Sequence, residues 1–213
     1  MPSVAANATS TLALFPGGLA SSWVYRDGVK SVCGVNVFPI ATVTVVGGVA
    51  GSVLLLLTPS SVFDGILPWL LLAATLMLAA GSRLSAQLRT QTRANAFAFA
   101  IVQFLLGLYG GYFGGAVGLM MLAAWSALGG GDIKSLNPTR MVMVTAANAV
   151  AVVVFILAEP IVWQQCISMT LGAVIGGWIG AHVGRRQPSS VVRALTLAVA
   201  VLTTAVFFSR AYL

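Results

Sequence analysis

Long apolar blocks alternate with short polar breaks along this chain. Seven predominantly apolar blocks occupy positions 5–24, 34–57, 65–81, 95–128, 139–157, 161–183 and 191–210. A helix that crosses a bilayer needs about 20 mostly apolar residues. The pattern therefore predicts an all-α, polytopic membrane protein with too few remaining residues for a soluble domain.

The composition agrees with this prediction. Of the 213 residues, 59% are hydrophobic and only 7% are charged, and the mean hydropathy is +0.99. Soluble domains carry about 25% charged residues. The isoelectric point near 10.3 would also suit a nucleic-acid-binding protein. However, the basic residues lie in short loops between apolar blocks, where they set the orientation of the spans. We therefore expect the lipid bilayer as a partner, and no nucleic acid.

An internal repeat divides the chain. Residues 47–62 read GGVAGSVLLLLTPSSV and residues 176–191 read GGWIGAHVGRRQPSSV, with seven identities at a single offset of 129. Upstream, ANAT at 6–9 matches ANAV at 147–150, which makes Asn7 and Asn148 equivalent. Self-similarity at a fixed offset indicates duplication. Each repeat then contains three ordinary spans.

The second repeat begins with a leader, 95–137, that the first repeat lacks. Extending the repeat backwards places its counterpart before the first residue, so we expect the chain to lack about 45 N-terminal residues relative to a symmetrical relative. The predicted organisation is a first repeat at 1–82 without its leader hairpin, a cytoplasmic connection at 83–94, and a second repeat at 95–213 with a broken hairpin and three spans.

The loop charges predict that the repeats are inverted. The loop between the first two spans holds Arg26, Asp27 and Lys30, whereas the equivalent turn of the second repeat holds only Glu159. The following loop holds only Asp64 in the first repeat and three arginines in the second, namely Arg185, Arg186 and Arg193. Because basic loops stay on the cytoplasmic side, equivalent loops face opposite sides, as in an inverted-topology repeat.

The leader contains GLYGGYFGGAVGL, from Gly107 to Leu119, inside 38 uncharged residues. As one straight helix, 38 residues would run about 57 Å, against a hydrocarbon core of about 30 Å. Basic residues place both ends of the leader on the cytoplasmic side, so the chain must enter the membrane and return. The glycines therefore predict a bent or re-entrant hairpin. The alternative is a continuous helix whose glycines form a flat packing face.

A broken helix in the membrane suggests a binding site. It presents free N–H groups and a positive dipole end, which suit an anion. No acidic or basic side chain falls in the middle of a span, so neutral donors remain. We predict a substrate site formed by Asn7, Thr11, Tyr109, Gly110, Gly111, Gly114, Gly115, Thr145 and Asn148, with Lys134 and Arg140 in an inner vestibule. The alternative is that the two asparagines only bond helix to helix.

We find no sequence signature of catalysis. Nucleophile–base pairs, CxxC, HExxH and phosphate-binding loops are absent, and Cys33 and Cys166 have no metal-ligand spacing. We therefore expect no enzyme, no cofactor and no metal, and a small anionic substrate. The sequence leaves a homo-oligomer open.

Several stretches carry a family resemblance when they are taken in order. They are LYGGYFGGAVGLMMLAAW, NPTR, ANAVAVVVFI, the acid and tryptophan of EPIVW, GAVIGGWIGAHVGRR and VVRALTLAV, joined in the first half by ATSTLALFPGGLASSWVYR and GGVAGSVLLLL. Through them the chain resembles the sulfite exporter TauE/SafE family of bacterial membrane permeases over nearly its whole length.

The resemblance implies export or uptake of sulfur-containing anions, such as sulfite and organosulfonates, across the bacterial inner membrane. The sequence departs from the family pattern in two places. The first glycine-rich leader is missing, in line with the repeat, and Arg140 stands where the family has a lysine, which keeps the charge and changes the geometry.

The favoured function is a secondary transporter that works by alternating access, with its substrate held at the glycine-broken helices and by Asn7 and Asn148. The missing leader motivates a second hypothesis, a non-transporting or degenerate membrane scaffold that assembles with a partner chain. A passive anion channel is a third.

Overall fold

A computed structural model of the chain describes residues 2–88, 95–129, 133–158, 161–186 and 189–212. Within these ranges the chain folds into α-helices and contains no strand, which confirms the all-α prediction. The eight helices are α1 (Ser3–Tyr25), α2 (Val37–Leu57), α3 (Ser60–Leu88), α4 (Ala96–Tyr112), α5 (Val117–Ala127), α6 (Ile133–Ala158), α7 (Trp163–Arg186) and α8 (Ser189–Tyr212).

Three helices are long and apolar enough to cross a membrane. In the described part of the chain these are Val37–Leu57, Ser60–Ala80 and Ser135–Ala158, with mean hydropathies of 2.3, 1.9 and 2.5. Shorter apolar helices lie at Ala96–Tyr112, Val117–Ala127 and Ala194–Ser209. All of them fall on predicted apolar blocks, and α1 and α7 occupy the remaining two. The chain is a multi-pass helical membrane protein.

The predicted hairpin is present in the leader. The side chain of Asn95 accepts a hydrogen bond from the Phe97 N–H and caps the start of α4. Helix α4 ends at Tyr112 and α5 begins at Val117. The two helices return alongside each other, because the Phe99 ring near the start of α4 lies 6.4 Å from the Trp125 ring near the end of α5. The bend therefore replaces a continuous helix.

The glycines of the leader divide into two groups. Gly107 and Gly111 lie inside α4 and face α2, where a methyl group on Gly107 would lie 2.6 Å from the Thr44 carbonyl oxygen and one on Gly111 would overlap the Gly48 carbonyl oxygen. On the α2 side, a methyl group on Gly47 would lie 2.5 Å from the Phe104 carbonyl oxygen. Such contacts between backbones require small residues. The packing interpretation thus applies to Gly107 and Gly111. The bend involves the glycines that follow them in the chain.

A buried polar network fixes the hairpin against α2. Gln103 Nε2 donates to Thr44 Oγ1 at 2.6 Å, and Trp125 Nε1 donates to Gln103 Oε1 at 2.8 Å. Thr44 Oγ1 in turn donates to the Ile40 carbonyl oxygen at 2.7 Å. Thr44, Gln103 and Trp125 are fully buried. Because every polar group in this set has a partner, the network ties α2, α4 and α5 together without exposing an unpaired group to lipid.

Helices α1 and α6 run antiparallel, because Gly18 lies against Thr145 and Gly28 against Pro138. Helix α6 also packs along α2, and α1 packs along α7. Helix α3 packs along α5 and along α8, and α2 and α4 run parallel in the most extensive contact of the structure. Between α3 and α8, Thr75 Oγ1 lies 3.0 Å from Thr204 Oγ1, and these two residues are 129 positions apart.

The repeat boundaries and the orientation of the spans stay predictions. Residues 83–88 of the connection predicted at 83–94 belong to α3, and 89–94 lie outside the described residues. Glu159 and the side chains of Arg185, Arg186 and Arg193 lie outside them as well.

Substituting Gly111 by alanine tests the contact between α2 and α4. We expect Gly111→Ala to lower the free energy of unfolding by about 1–3 kcal/mol, because the new methyl group overlaps the Gly48 carbonyl and neither backbone can move freely. Gly65→Ala is the matched control, since nothing lies within 4 Å of a methyl group there. Unfolding in mixed detergent measures both. Equal effects of the two substitutions would contradict the close contact of Gly111 with the backbone of α2.

Candidate functional site

The helix break between α4 and α5 is a four-residue turn, Phe113 to Ala116. The N–H groups of Phe113 and Gly114 donate to the Tyr109 carbonyl oxygen at 2.9 and 3.4 Å, which closes α4. Gly114 has φ +73° and Ala116 has φ +58°, so both lie in the left-handed region. The Leu119 N–H donates to the Ala116 carbonyl oxygen at 2.9 Å, and the N–H groups of the two residues before it begin α5 without an intrahelical acceptor. The break thus directs the positive end of α5 into the protein.

Three predicted site residues converge on this break. The side-chain oxygens Asn148 Oδ1 and Thr11 Oγ1 lie 3.8 and 3.9 Å from the position that a Cβ on Gly114 would take. Asn7 Nδ2 donates to the Tyr112 carbonyl oxygen at 3.3 Å. Thr11 also donates to the Asn7 carbonyl oxygen at 2.9 Å. Helices α1 and α6 therefore both present polar side chains to the turn.

Asn148 differs from the others in lacking a partner. Its Oδ1 atom is buried and, among the described residues, has no hydrogen-bond partner. A buried polar atom without a partner costs free energy. A ligand that donates a hydrogen bond to this oxygen would recover that free energy. Rotation of the amide by 180° presents its two N–H donors to the same space.

Two predicted site residues are engaged elsewhere. Thr145 Oγ1 donates to the Gly18 carbonyl oxygen at 3.1 Å and lies 2.7 Å from Ser22 Oγ, so it links α6 to α1 on one side of the break. The Tyr109 hydroxyl donates to the Leu70 carbonyl oxygen at 3.2 Å and faces α3. The structure does not bring either hydroxyl to the turn.

The other predicted glycines have packing contacts. A methyl group on Gly110 would lie 3.3 Å from Val117 and 3.6 Å from Ala147, so Gly110 lets α4, α5 and α6 approach one another. A methyl group on Gly115 would lie 2.5 Å from the Phe113 ring. Gly111 packs against α2, as described above. Of the four predicted glycines, Gly114 and Gly115 therefore belong to the turn itself.

Arg140, predicted in an inner vestibule, lies beside the first turn of α5. A methyl group on Gly118, in the first turn of α5, would lie 2.9 Å from Arg140 Nη1. The Nε atom is buried and has no hydrogen-bond partner among the described groups, and Nη2 lies 2.8 Å from the Met141 sulfur. The guanidinium therefore adds positive charge to the positive end of α5. The side chain of Lys134 lies outside the described residues.

A cavity of about 550 Å³ reaches the break from the end of the molecule where α1 begins. Its lining includes Ser3, Asn7, Ser10, Asp64, Phe113 and Gln165. The sequence analysis missed Phe113 and Gln165 as lining residues. The position of Phe113 in the glycine run could have indicated the first, whereas Gln165 reaches the cavity only through the packing of α7 beside α1.

A second cavity, of about 470 Å³, lies between α2, α3 and α4 and is lined mostly by aliphatic side chains, with Tyr109 and Tyr112. Across the described residues, no group of three or more His, Cys, Asp or Glu side chains is placed to hold a metal ion.

Comparison with known proteins identifies the family. The family model for the sulfite exporter TauE/SafE family matches residues 1–207. This chain belongs to the sulfite exporter TauE/SafE family. The TauE/SafE model thus covers the helix break and all the candidate site residues, and it confirms the resemblance found in the sequence.

Bacterial relatives of this TauE/SafE chain carry transporter names. A probable membrane transporter protein of Sinorhizobium is 26% identical over 165 residues, which cover 76% of this chain and 62% of the relative. A second, from Haemophilus influenzae, is 25% identical over 205 residues, which cover 96% of this chain and 80% of the relative. A third from Escherichia coli is 25% identical over 163 residues, covering 76% and 60%.

The matched part of this TauE/SafE chain thus spans about three fifths of the Sinorhizobium and Escherichia coli relatives and four fifths of the Haemophilus one. No solved structure matches the chain.

Two opposite substitutions test the geometry of the turn. Gly114→Ala should lower the free energy of unfolding by about 1–2 kcal/mol, because an L-residue with a Cβ is strained at φ +73° although its methyl group meets no atom closer than 3.6 Å. Ala116→Gly should raise it by up to about 1 kcal/mol, because it relieves the same strain at φ +58°. Thermal unfolding of the purified variants measures both. Changes of the same sign would show that the turn has a different backbone.

Proposed function

We propose that this chain is a secondary transporter that moves small sulfur-containing anions, such as sulfite or organosulfonates, across the bacterial inner membrane. The observation that carries the proposal is the convergence of Thr11 and Asn148 on the helix break at Gly114, with Asn7 bonded to the adjacent Tyr112 carbonyl. The relatives named probable membrane transporter proteins and the family model support transport. The description of the family as sulfite exporters supports sulfite as the substrate class.

The electrostatics of the break favour an anion. The N-terminal end of α5 carries a partial positive charge, and the Arg140 guanidinium lies beside the first turn of the same helix. The Asn148 amide, rotated by 180°, supplies neutral N–H donors, whereas the Thr11 hydroxyl already donates to the Asn7 carbonyl oxygen. In membrane proteins, broken helices hold anionic substrate groups in this way at a midplane site. One acidic residue, Asp64 near the start of α3, shares the lining of the cavity with Phe113.

Closure on one side and access on the other support alternating access. The cavity reaches Asn7 and Phe113 from the end where α1 begins. Toward the other end, α1 and α6 are held together by the contacts of Thr145 with Gly18 and Ser22. Beyond these, the Lys30 N–H donates to Thr139 Oγ1 at 3.0 Å, and Thr139 donates back to the Lys30 carbonyl oxygen at 2.8 Å.

These contacts suggest which helices move. Since α1 and α6 each contribute to the candidate site, a rocking of α1 against α6 that breaks the Ser22–Thr145 contact would open the closed side. The same rocking would change the position of Thr11 relative to Asn148. Rigid-body motion of one repeat against the other is the usual means of alternating access in inverted-repeat transporters.

Introducing a negative charge at Asn148 tests the site. Two like charges about 4 Å apart repel by about 4 kcal/mol at an effective dielectric constant of 20. We therefore expect Asn148→Asp to lower sulfite uptake into proteoliposomes by at least about tenfold. Asn36→Asp is the matched control, because Asn36 is exposed at the start of α2 and should leave uptake unchanged. Unchanged uptake in Asn148→Asp would remove Asn148 from the site.

The same proteoliposomes distinguish the alternative functions. Sulfite, methanesulfonate and acetate are compared in separate samples. Saturating, sulfur-selective uptake supports the proposed transporter. Flux that rises linearly with concentration favours a passive channel. No flux of any of the three anions favours the scaffold hypothesis.

Two substitutions of Arg140 separate the effect of its positive charge on transport from the effect of its side-chain geometry. Arg140→Gln removes the positive charge beside α5 and should raise the KM for sulfite by about tenfold or more, because an ion near a buried charge loses at least about 1.4 kcal/mol of attraction. Arg140→Lys keeps the charge and should retain most of the uptake. If both variants transport like the unchanged chain, Arg140 only sets the orientation of α6.

A further inference from the structure

We propose that the segment between α1 and α2, residues 26–36, is a gate of the transport pathway, and that its contact with the N-terminal part of α6 breaks in each transport cycle. We call this segment the strap. Its role as a gate rests on the proposed function, because a gate has a use only if the chain carries a substrate. One part of the strap opens in the cycle and the other part stays fixed.

The first part of the strap holds α6. It continues α1 directly, as a short 3₁₀ helix at Arg26–Gly28. A Cβ on Gly28 would lie 2.8 Å from Pro138 Cγ. The Lys30 N–H donates to Thr139 Oγ1 at 3.0 Å, and the same hydroxyl donates to the Lys30 carbonyl oxygen at 2.8 Å. Thr139 is fully buried. We call these contacts of Gly28 and Lys30 with α6 the catch.

The second part of the strap, its tip, is anchored on the α4–α5 hairpin. Val32 and Val35 exchange backbone hydrogen bonds at 3.0 and 2.9 Å, with Cys33 at φ +54° and Gly34 at φ +80° between them. Two left-handed residues in a two-residue loop form a type I′ turn, which is rigid and compact. Val32 is 1% exposed and belongs to the core cluster that contains Trp125 of α5. The tip is therefore fixed to the hairpin.

The catch is the outermost of the contacts that close the space between α1 and α6. Moving away from the helix break at Gly114, the Ser22 hydroxyl lies 2.7 Å from Thr145 Oγ1 and donates to the Met141 carbonyl oxygen at 3.1 Å. The catch follows beyond Ser22, because α1 leads directly into the strap. A path from the break to this end of the molecule must therefore pass both sets of contacts.

A rocking of α1 against α6 must release the catch. The residues before Ser31 move with α1, whereas the tip stays on α5, so the chain bends at the exposed Ser31 that joins the two parts. Asp27 and Lys30 are also exposed, which places the strap at a water-facing end of the protein. Water there replaces the hydrogen bonds that an open catch loses, and such bonds add little net stability. The catch can thus open and close without unfolding.

A reversible cross-link tests whether the catch must open. A Cβ on Gly28 would lie 3.2 Å from Pro138 Cβ, close to the roughly 3.5–4.5 Å that a disulfide spans. Gly28→Cys and Pro138→Cys are combined in a parent that carries Cys33→Ser and Cys166→Ala. We expect oxidation to lower the initial rate of sulfite uptake into proteoliposomes at least about tenfold, because a locked gate cannot complete a cycle. A reductant should restore uptake.

A bridge at the tip is the matched control. Cys33 Sγ lies 3.5 Å from the Leu128 carbonyl oxygen at the end of α5. Leu128→Cys is therefore combined with the native Cys33 and with Cys166→Ala. Because the tip stays on α5 throughout the cycle, oxidation of this pair should leave sulfite uptake unchanged. An equal loss of uptake with the tip bridge would overturn the assignment of the catch as the moving part.

A labelling measurement tests the catch without transport. Thr139→Val removes the hydroxyl that bonds to Lys30 and keeps the shape of the side chain, whereas Thr139→Ser keeps the hydroxyl. Ser22→Cys is added to each variant in the parent that lacks Cys33 and Cys166. We expect a charged maleimide to react with it at least about fivefold faster in the Thr139→Val variant, because the catch then opens more often. Thr139→Ser should leave the rate unchanged.

The gate would be overturned if the oxidised catch bridge carried sulfite as fast as its reduced form. A folded monomer in which this bridge does not form would also overturn it, since the contact would then be absent in solution. Unchanged labelling in the Thr139→Val variant would do the same. Absence of uptake by the unchanged chain is a different result, because it would overturn the proposed function while the labelling still reports whether the catch opens.

Discussion

The close contact between the backbones of α2 and α4 is the interaction on which the rest of the structure depends. Gly47, Gly48 and Gly51 on one helix meet Gly107 and Gly111 on the other, with no side chain between them. In lipid, where apolar side chains gain little by leaving the solvent, such van der Waals packing is a main source of helix association. The contact fixes the depth and direction of α4, and hence the place where the chain turns back.

The helix break requires that arrangement, because polar backbone at membrane depth must be covered by protein. Asn7 bonds the carbonyl of Tyr112, and α1 and α6 close over the turn at Gly114. The residues that make the break tolerable are also the ones available to a substrate. In the proposed function, the broken helix and the polar side chains that cover it serve structure and binding at once. Asn148, whose Oδ1 has no partner among the described residues, is then its most informative member.

Much of this site could be predicted from the sequence, and the failures have a common cause. The length of the uncharged leader and its charged ends predicted the bend, and the repeat singled out Asn7 and Asn148. The sequence could not divide the glycines between packing and turning, since spacing of small residues suits both. Nor could it tell that Thr145 bonds to Gly18 and that Tyr109 bonds to Leu70. The neighbour that a helical side chain contacts depends on the rotation of each helix about its axis. That rotation cannot be predicted from a single sequence.

The sequence by itself determined the membrane setting, the helical class, the family and the turn in the leader. These follow from composition, block length, charge placement and motif order, which are local or additive properties of the chain. Only the tertiary structure decided that Thr11 and Asn148 approach Gly114, that Arg140 reaches the first turn of α5, and that Gly172 and Gly176 of α7 face open space. Each of these depends on how separate helices are placed relative to one another, and that placement results from packing between residues distant in the chain.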